Sequence, residues 1–355
     1  MVTKRNIAAA FLFAAYFCIG CFPAYADKNR DVKVMTYNMY LGSDFSEIFT
    51  AQTPDRLVTE VGEAYTDMQM GNVPERITAI ADQIEAGAPV LVGLQEVALW
   101  RIGAPFDPAP ATFVTYDFLQ MLLEELKARG MHYAPIAVQT NLDAELPGVF
   151  SPTAALDIRF TDRVVILART DLRTSEFKLE RTQTQTFATI LPVTSPTLGT
   201  IFIPRGWASA DVKLRGKKYR FISAHLESFF DPVQFAQAAE LLQGPTNTDV
   251  PVILSGDFNS DAAANAFTYQ MLTGSGFSDI WIAASLGGPG LTWPLSGEIP
   301  SAITAPSQRL DLILTRGAVS IADADILGEA AADLTPSGFR PSDHAGVIAT
   351  VVLEP

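Results

Sequence analysis

Short β-branched or aliphatic runs alternate along this chain with longer amphipathic stretches, and that alternation constrains the fold more than any other feature. Val32–Tyr37, Pro89–Leu94, Arg163–Ala168, Thr184–Leu191, Thr200–Ile203, Ser209–Leu214, Tyr219–Ala224, Val250–Leu254, Leu310–Leu314, Ile321–Leu327 and Gly346–Leu353 read as strands. Pro74–Ala86 reads as a helix, with Ile77, Ile80, Ala81 and Ile84 at helical spacing, as do Phe118–Arg129, Pro232–Gln243 and Ala262–Leu272. The step Arg215-Gly216-Lys217-Lys218 between two strands is a hairpin signal. Helices interleaved with hairpins exclude a purely parallel sheet and predict mixed sheets covered by helices. No repeat or linker divides the chain, so residues 27–355 are expected to form a single domain. Leu99–Pro110, Ala144–Pro152 and Gly287–Pro306 read as surface loops.

The residues ahead of the first strand read as an export leader. Lys4 and Arg5 precede an apolar run from Ile7 to Phe22, and Ala24-Tyr25-Ala26 places small residues at −3 and −1 of a cleavage point. The expected signal peptide is 1–26, cut after Ala26, and the mature chain is secreted or periplasmic. Lipid attachment at Cys21 is the weaker reading, because Cys18 stands where an aliphatic residue is usual. Both cysteines of the chain, Cys18 and Cys21, lie in this leader, which excludes sulfur-based metal sites from the mature protein.

Charge narrows the partners. The chain carries 39 acidic against 25 basic residues, a formal net charge of −14, and the leader removes Lys4 and Arg5 without removing an acid. Such a surface repels polyanions at long range, and no basic run offsets it, so nucleic acid is disfavoured as a partner.

Polar residues end the apolar runs at six places: Asn38; Gln95-Glu96; His225; Asp257-Phe258-Asn259; Arg309-Leu310-Asp311; and Ser342-Asp343-His344. Strand ends are where rigid backbone meets solvent, so these positions can converge on one mouth. Any one of them is explained as a turn former or helix cap. Six together, holding two of the three histidines, could hold a hard divalent cation, orient a water and contact an anion.

The series TYN (Thr36–Asn38), GLQEV (Gly93–Val97), SAHL (Ser223–Leu226), GDFNS (Gly256–Ser260), RLD (Arg309–Asp311) and SDHAG (Ser342–Gly346) resembles the endonuclease/exonuclease/phosphatase superfamily in composition and order. The resemblance runs from about Val32 to Leu353. It implies a four-layered α/β sandwich of two packed mixed sheets flanked by helices, and metal-dependent hydrolysis of a phosphate ester by direct attack of water. By the same resemblance Glu96 is the carboxylate ligand of Mg²⁺ (Mn²⁺ or Ca²⁺ suit the same oxygen ligands), with Asn38 beside it and Asp343 at the metal or just behind it. Asp257 would orient or deprotonate the water, Asn259 would hydrogen-bond a phosphate oxygen, and His225 would contact the phosphate or help protonate the leaving oxygen. Asp311 would pair with His344 and favour its imidazolium.

Tyr40 stands where several family members carry a carboxylate, which argues against a second metal near Asn38. The stretches Leu41–Asn72 and Val97–Asp162 exceed a minimal member and are expected to build a substrate-facing rim, with Phe45, Phe49, Trp100, Phe106, Phe113, Trp207, Phe229, Phe230 and Trp293 as candidate rim aromatics. Arg101 and Arg205 are candidate phosphate or head-group contacts. The expected function is that of an exported monomeric phosphoesterase for a small-molecule or lipid-derived ester, with peripheral contact to a lipid surface as a corollary. An extracellular nuclease and an inactive binding module on the same fold are the alternatives.

Overall fold

The computed structural model describes residues 31–295 and 305–353. The segment expected to be a leader, with Cys18 and Cys21, and part of Gly287–Pro306 lie outside these residues. In chain order the elements are β1 (Asp31–Asn38), α1 (Ser46–Thr50), α2 (Pro54–Met70), α3 (Val73–Gly87), β2 (Leu91–Gln95), β3 (Leu99–Gly103), β4 (Phe113–Asp117), α4 (Phe118–Ala128), β5 (Tyr133–Ser151), β6 (Ala154–Arg169), β7 (Phe177–Thr186) and β8 (Leu191–Ser195). They continue with β9 (Gly199–Ile203), β10 (Gly206–Leu214), β11 (Lys217–His225), α5 (Asp231–Gln243), β12 (Val252–Asp257), α6 (Phe267–Gly274), β13 (Ser278–Asp279), α7 (Ile280–Ala283), β14 (Asp311–Arg316), β15 (Val319–Leu327) and β16 (Gly346–Leu353).

One eight-stranded sheet runs β15-β16-β1-β2-β6-β3-β4, with β5 paired to β6, and a six-stranded sheet runs β13-β14-β12-β11-β10-β7. β1–β2 and β11–β12 are parallel and the other pairs antiparallel, so both sheets are mixed. Strand alternation sorts the core into layers. Val34, Leu91 and Ile166 of the larger sheet meet Ala210, Phe221 and Ile253 of the smaller one. On the far face of the larger sheet Met35, Val92 and Val165 pack on Ile77, Ile84 and Leu122 of α3 and α4. On the far face of the smaller sheet Ile222 and Leu254 pack on Leu241 and Leu272 of α5 and α6. Burial of both sheet faces explains why the central strands read as near-continuous apolar runs. The result is the expected four-layered sandwich.

Several expectations are corrected. Thr184–Leu191 is not one strand: β7 ends at Thr186, where its partner β10 begins, and β8 starts a separate ribbon with β9. Ala262–Leu272 is helical only from Phe267, because Asp261 first shapes a turn by accepting from the Ala263 and Arg309 N–H groups (2.9 and 3.0 Å). Leu99–Pro110 contains β3. Ala144–Pro152 lies largely within β5, where Pro147 is tolerated because β5 pairs with β6 alone and leaves one edge without a ladder to serve. Of Leu41–Asn72, α2 packs on β5 rather than forming a rim, and only the segment up to Phe49 reaches the cavity described next.

Candidate active site

The register of the sheets builds the site. Across the smaller sheet His225 pairs with Asp257 and Asp257 with Asp311, so three strand ends place these side chains in one row. In the larger sheet Asn38 pairs with Gln95, next to Glu96, and β16 enters beside β1 just after Asp343-His344. The two edges meet over a cavity of about 560 Å³ lined by Glu96, His225, Asp257, Asn259, Asp343 and His344, among others. Asn38 and Asp311 stand directly behind, touching Asp257 and His344. All eight residues singled out in the sequence therefore converge.

Local backbone follows from this demand. Glu96, Asn259 and Tyr40 hold φ of 55°, 49° and 64°, a left-handed conformation that is costly without glycine and recurs at functional sites. At Gly256 a Cβ would lie 2.0 Å from the Ala224 carbonyl oxygen, so no other residue lets β12 approach β11 there. Beneath the cavity a polar clasp joins the sheets: Gln95 Nε2 donates to Ser223 Oγ (2.9 Å) and to Thr36 Oγ1 (3.2 Å).

Asp257 is held from two sides. Asn38 Nδ2 donates to its Oδ2 (3.0 Å) and the Asn259 N–H to its Oδ1 (2.9 Å). His344 Nδ1 donates to Asp311 Oδ2 at 2.8 Å. Burial opposes the imidazolium, but Asp311, Asp257 and Asp343 outweigh it and hold His344 well above the ordinary histidine range. Asp311 is itself pushed up to about 6, chiefly by burial.

His225 behaves oppositely. Burial first, then Arg205 and His344, hold it well below the ordinary range, so it is neutral. Arg205 Nη1 donates to its Nδ1 (3.1 Å), which leaves Nε2 as the N–H, 3.5 Å from Asp257 Oδ2 and 3.9 Å from Glu96 Oε1. The two histidines thus offer a neutral donor and a cation within one cavity.

Glu96 Oε2 accepts from the Leu41 N–H (2.9 Å). Its carboxyl is pushed up to about 8 by burial and by the neighbouring Asp343 carboxylate. Asp343 is raised as well, by burial above all. Two half-buried carboxylates on one cavity wall, each raising the other's cost of ionisation, fit a divalent cation, which removes both the repulsion and the desolvation penalty. Among the described residues Asp257, Asp311 and His344 also bring ligand atoms within 4.8 Å of one another, but Asp311 and His344 are already bonded to each other.

Phe45, Phe49, Phe229 and Trp293 line the cavity, as expected of a rim. Trp100 and Trp207 are core residues, while Phe106, Phe113 and Phe230 are exposed away from the lining. Arg101 is bound to Asp143 and Thr161 and does not reach the cavity. Asp162 is a residue that sequence reasoning missed. It is buried at the cavity wall, accepts from Asn141 Nδ2 (2.9 Å) and stands 3.7 Å from Arg205. Its signal was a charged pair, Asp162-Arg163, set against an apolar run, which reads equally well as a strand start.

The sequence profile described as "Endonuclease/Exonuclease/phosphatase family" matches residues 35–344. No curated protein gives a significant match. Among solved structures the chain is similar to an endonuclease/exonuclease/phosphatase family protein from Leptotrichia buccalis C-1013-b, at TM-score 0.55 and 16% identity over 90% of this chain and 99% of that one. It is similar to the mannosyl-6-phosphatase Bt3783 of Bacteroides thetaiotaomicron VPI-5482, at TM-score 0.51 and 17% identity over 91% and 100%. A third likeness is to D. rerio TDP2 complexed with a single-strand DNA product, at TM-score 0.51 and 18% identity over 90% and 98%. At these identities the structures speak for the fold, and the profile match speaks for the family. The chain belongs to the endonuclease/exonuclease/phosphatase family and is a metal-dependent hydrolase of phosphoester bonds.

Proposed function

We propose that this is an exported, monomeric phosphoesterase, one domain over 27–355 behind a signal peptide, acting on a small-molecule or lipid-derived phosphate mono- or diester rather than on nucleic acid. The observation that carries this reading is the cavity lining. Among the described residues Arg205 is the only arginine or lysine on it, beside Phe45, Phe49, Phe160, Phe229 and Trp293. A nucleic-acid groove needs several phosphate-neutralising side chains, whereas one guanidinium and one imidazolium match a single phosphate.

Glu96 and Asp343, with Asn38 close by, would hold Mg²⁺, which supplies charge neutralisation at the phosphate. Asp257, fixed by Asn38 and the Asn259 N–H, would orient a water and take its proton. Asn259 and the neutral His225 Nε2–H would donate to phosphate oxygens. His344, kept cationic by Asp311, would offset charge that develops on the phosphoryl oxygens.

A panel of plasmid DNA, sphingomyelin, inositol phosphates and a nitrophenyl diester, each with and without chelator, tests the reading. Chelator-sensitive turnover of a small or lipid ester is expected, and turnover of DNA alone would overturn it.

A further inference from the structure

Beside the catalytic cavity lies a second, smaller pocket of about 70 Å³. Its walls are apolar side chains of the α1 segment, α2, β3, β5 and β6, including Ile48, Trp100, Leu146 and Ile158. Phe45, Phe49, Leu142 and Phe160 line both spaces, so the pocket opens beside the site rather than elsewhere on the surface. Its aromatic wall is rigid: Phe45 and Phe160 meet edge-on at 4.8 Å, and Trp100 lies 4.9 Å from Phe160. The one polar side-chain atom of that lining, Trp100 Nε1, is satisfied by the Leu41 carbonyl (3.1 Å). The N–H of the same residue donates to Glu96, so Leu41 ties the pocket wall to the candidate metal-binding carboxylate.

We propose that this pocket is a subsite for a short alkyl group carried by the phosphate ester. The inference rests on the phosphoesterase reading above and adds the chemistry of the group next to the phosphate. A sugar or nucleoside would strand its hydroxyls against hydrocarbon, with no donor or acceptor to meet them. An alkyl chain loses nothing there and leaves water. Size sets the limit: on the scale at which a cavity of about 150 Å³ holds benzene, a volume of about 70 Å³ takes about three carbons.

The test is calorimetric binding of methyl-, ethyl-, propyl-, butyl-, hexyl- and octylphosphonate to the protein in magnesium buffer. Each methylene buried tightens binding by about fourfold. Affinity should therefore climb from methyl to propyl or butyl and then level off as the chain leaves the pocket. Ala144→Leu, a change at an exposed position on the pocket margin, should flatten the climb. Ile48→Ala, on a half-buried wall, should move the plateau to a longer chain. Equal affinity across the series, or a climb without a plateau that Ala144→Leu leaves intact, would overturn the subsite while leaving the phosphoesterase reading in place. Failure of every phosphonate to bind would overturn the small-ester reading and the subsite with it, while the family's phosphoester chemistry stands.

Discussion

Two cavities of nearly equal size lie at different faces of this sandwich, and they treat their acids in opposite ways. The catalytic cavity measures about 560 Å³, and the other, between α3 and β15–β16, about 590 Å³. The second is lined by Glu75, Asp82, Asp323, Asp325 and Asp333, with Lys33 as its one basic side chain among the described residues. There each acid is exposed or half-buried, and most have local partners. Glu75 accepts from the Ser337 N–H (2.8 Å), which holds its carboxyl below the usual range, and Asp82 is paired with Arg129 at 2.8 Å. In the catalytic cavity Asp257 and Asp162 are fully buried, and the half-buried Glu96 beside them is pushed up to about 8 by desolvation and by Asp343. A count of acidic groups does not make a site. Burial of like charges without enough counter-charge does, because only there does a cation gain by entering.

The comparison breaks most visibly at Glu96. Replacing Glu96 by Gln keeps the shape and removes the charge, so activity should fall by about 10³-fold or more while circular dichroism stays native. Metal titration by calorimetry on both forms decides the cause: equal affinity would remove Glu96 from the metal site.

Next in size is Asp311→Asn, which takes away the partner that keeps His344 cationic. Turnover should drop by about 10²-fold. The His344 ring, followed by NMR, should titrate well above 6.5 in the parent and lower in the variant. A parent value below 6.5 would contradict the role.

The pH dependence of stability is a smaller but cleaner reading. Glu96 binds its proton more tightly folded (about 8) than unfolded (4.5), so its contribution is full below 4.5 and is lost as pH rises through about 8. Asp311, raised from 3.8 to about 6, acts in the same direction. His225, held well below 6.5, acts the other way up to that pH, so in chelator Tm should fall between about pH 6.5 and pH 8, whereas saturating Mg²⁺ should flatten that slope. An identical slope with and without the ion would mean that the cation does not meet these carboxylates. The smallest effect belongs to the other cavity. Glu75→Gln should leave turnover within about twofold, since a surface substitution away from the site perturbs little, and a large loss would show that the second cavity takes part.

The site was legible to the extent that its residues sit at strand ends. Asn38, Glu96, His225, Asp257 and Asp311 each terminate or open an apolar run, a pattern that periodicity exposes directly. Asp162 and Arg205 were harder to read. Asp162 looks like the start of a strand, and Arg205 follows an exposed ribbon, so nothing local says that Arg205 meets both Asp162 and His225. Likewise Ala144–Pro152 reads as a loop because Pro147 and Gly148 are turn formers, and only its position at a sheet edge lets it be a strand.

By itself the sequence determined the layered class of fold, most of the central strands and helices, and the order of the polar strand ends. These follow from short-range alternation and from side chains that local chemistry confines to turns or to a hydrocarbon layer. Only the tertiary structure decided that His225, Asp257 and Asp311 share one register row, that burial and Arg205 keep His225 neutral while Asp311 keeps His344 charged, and that an apolar pocket opens beside the catalytic cavity. Those properties depend on pairings between residues tens to hundreds of positions apart. The protonation of a group responds to the charges and the burial around it, which the chain acquires only when its sheets have closed on each other.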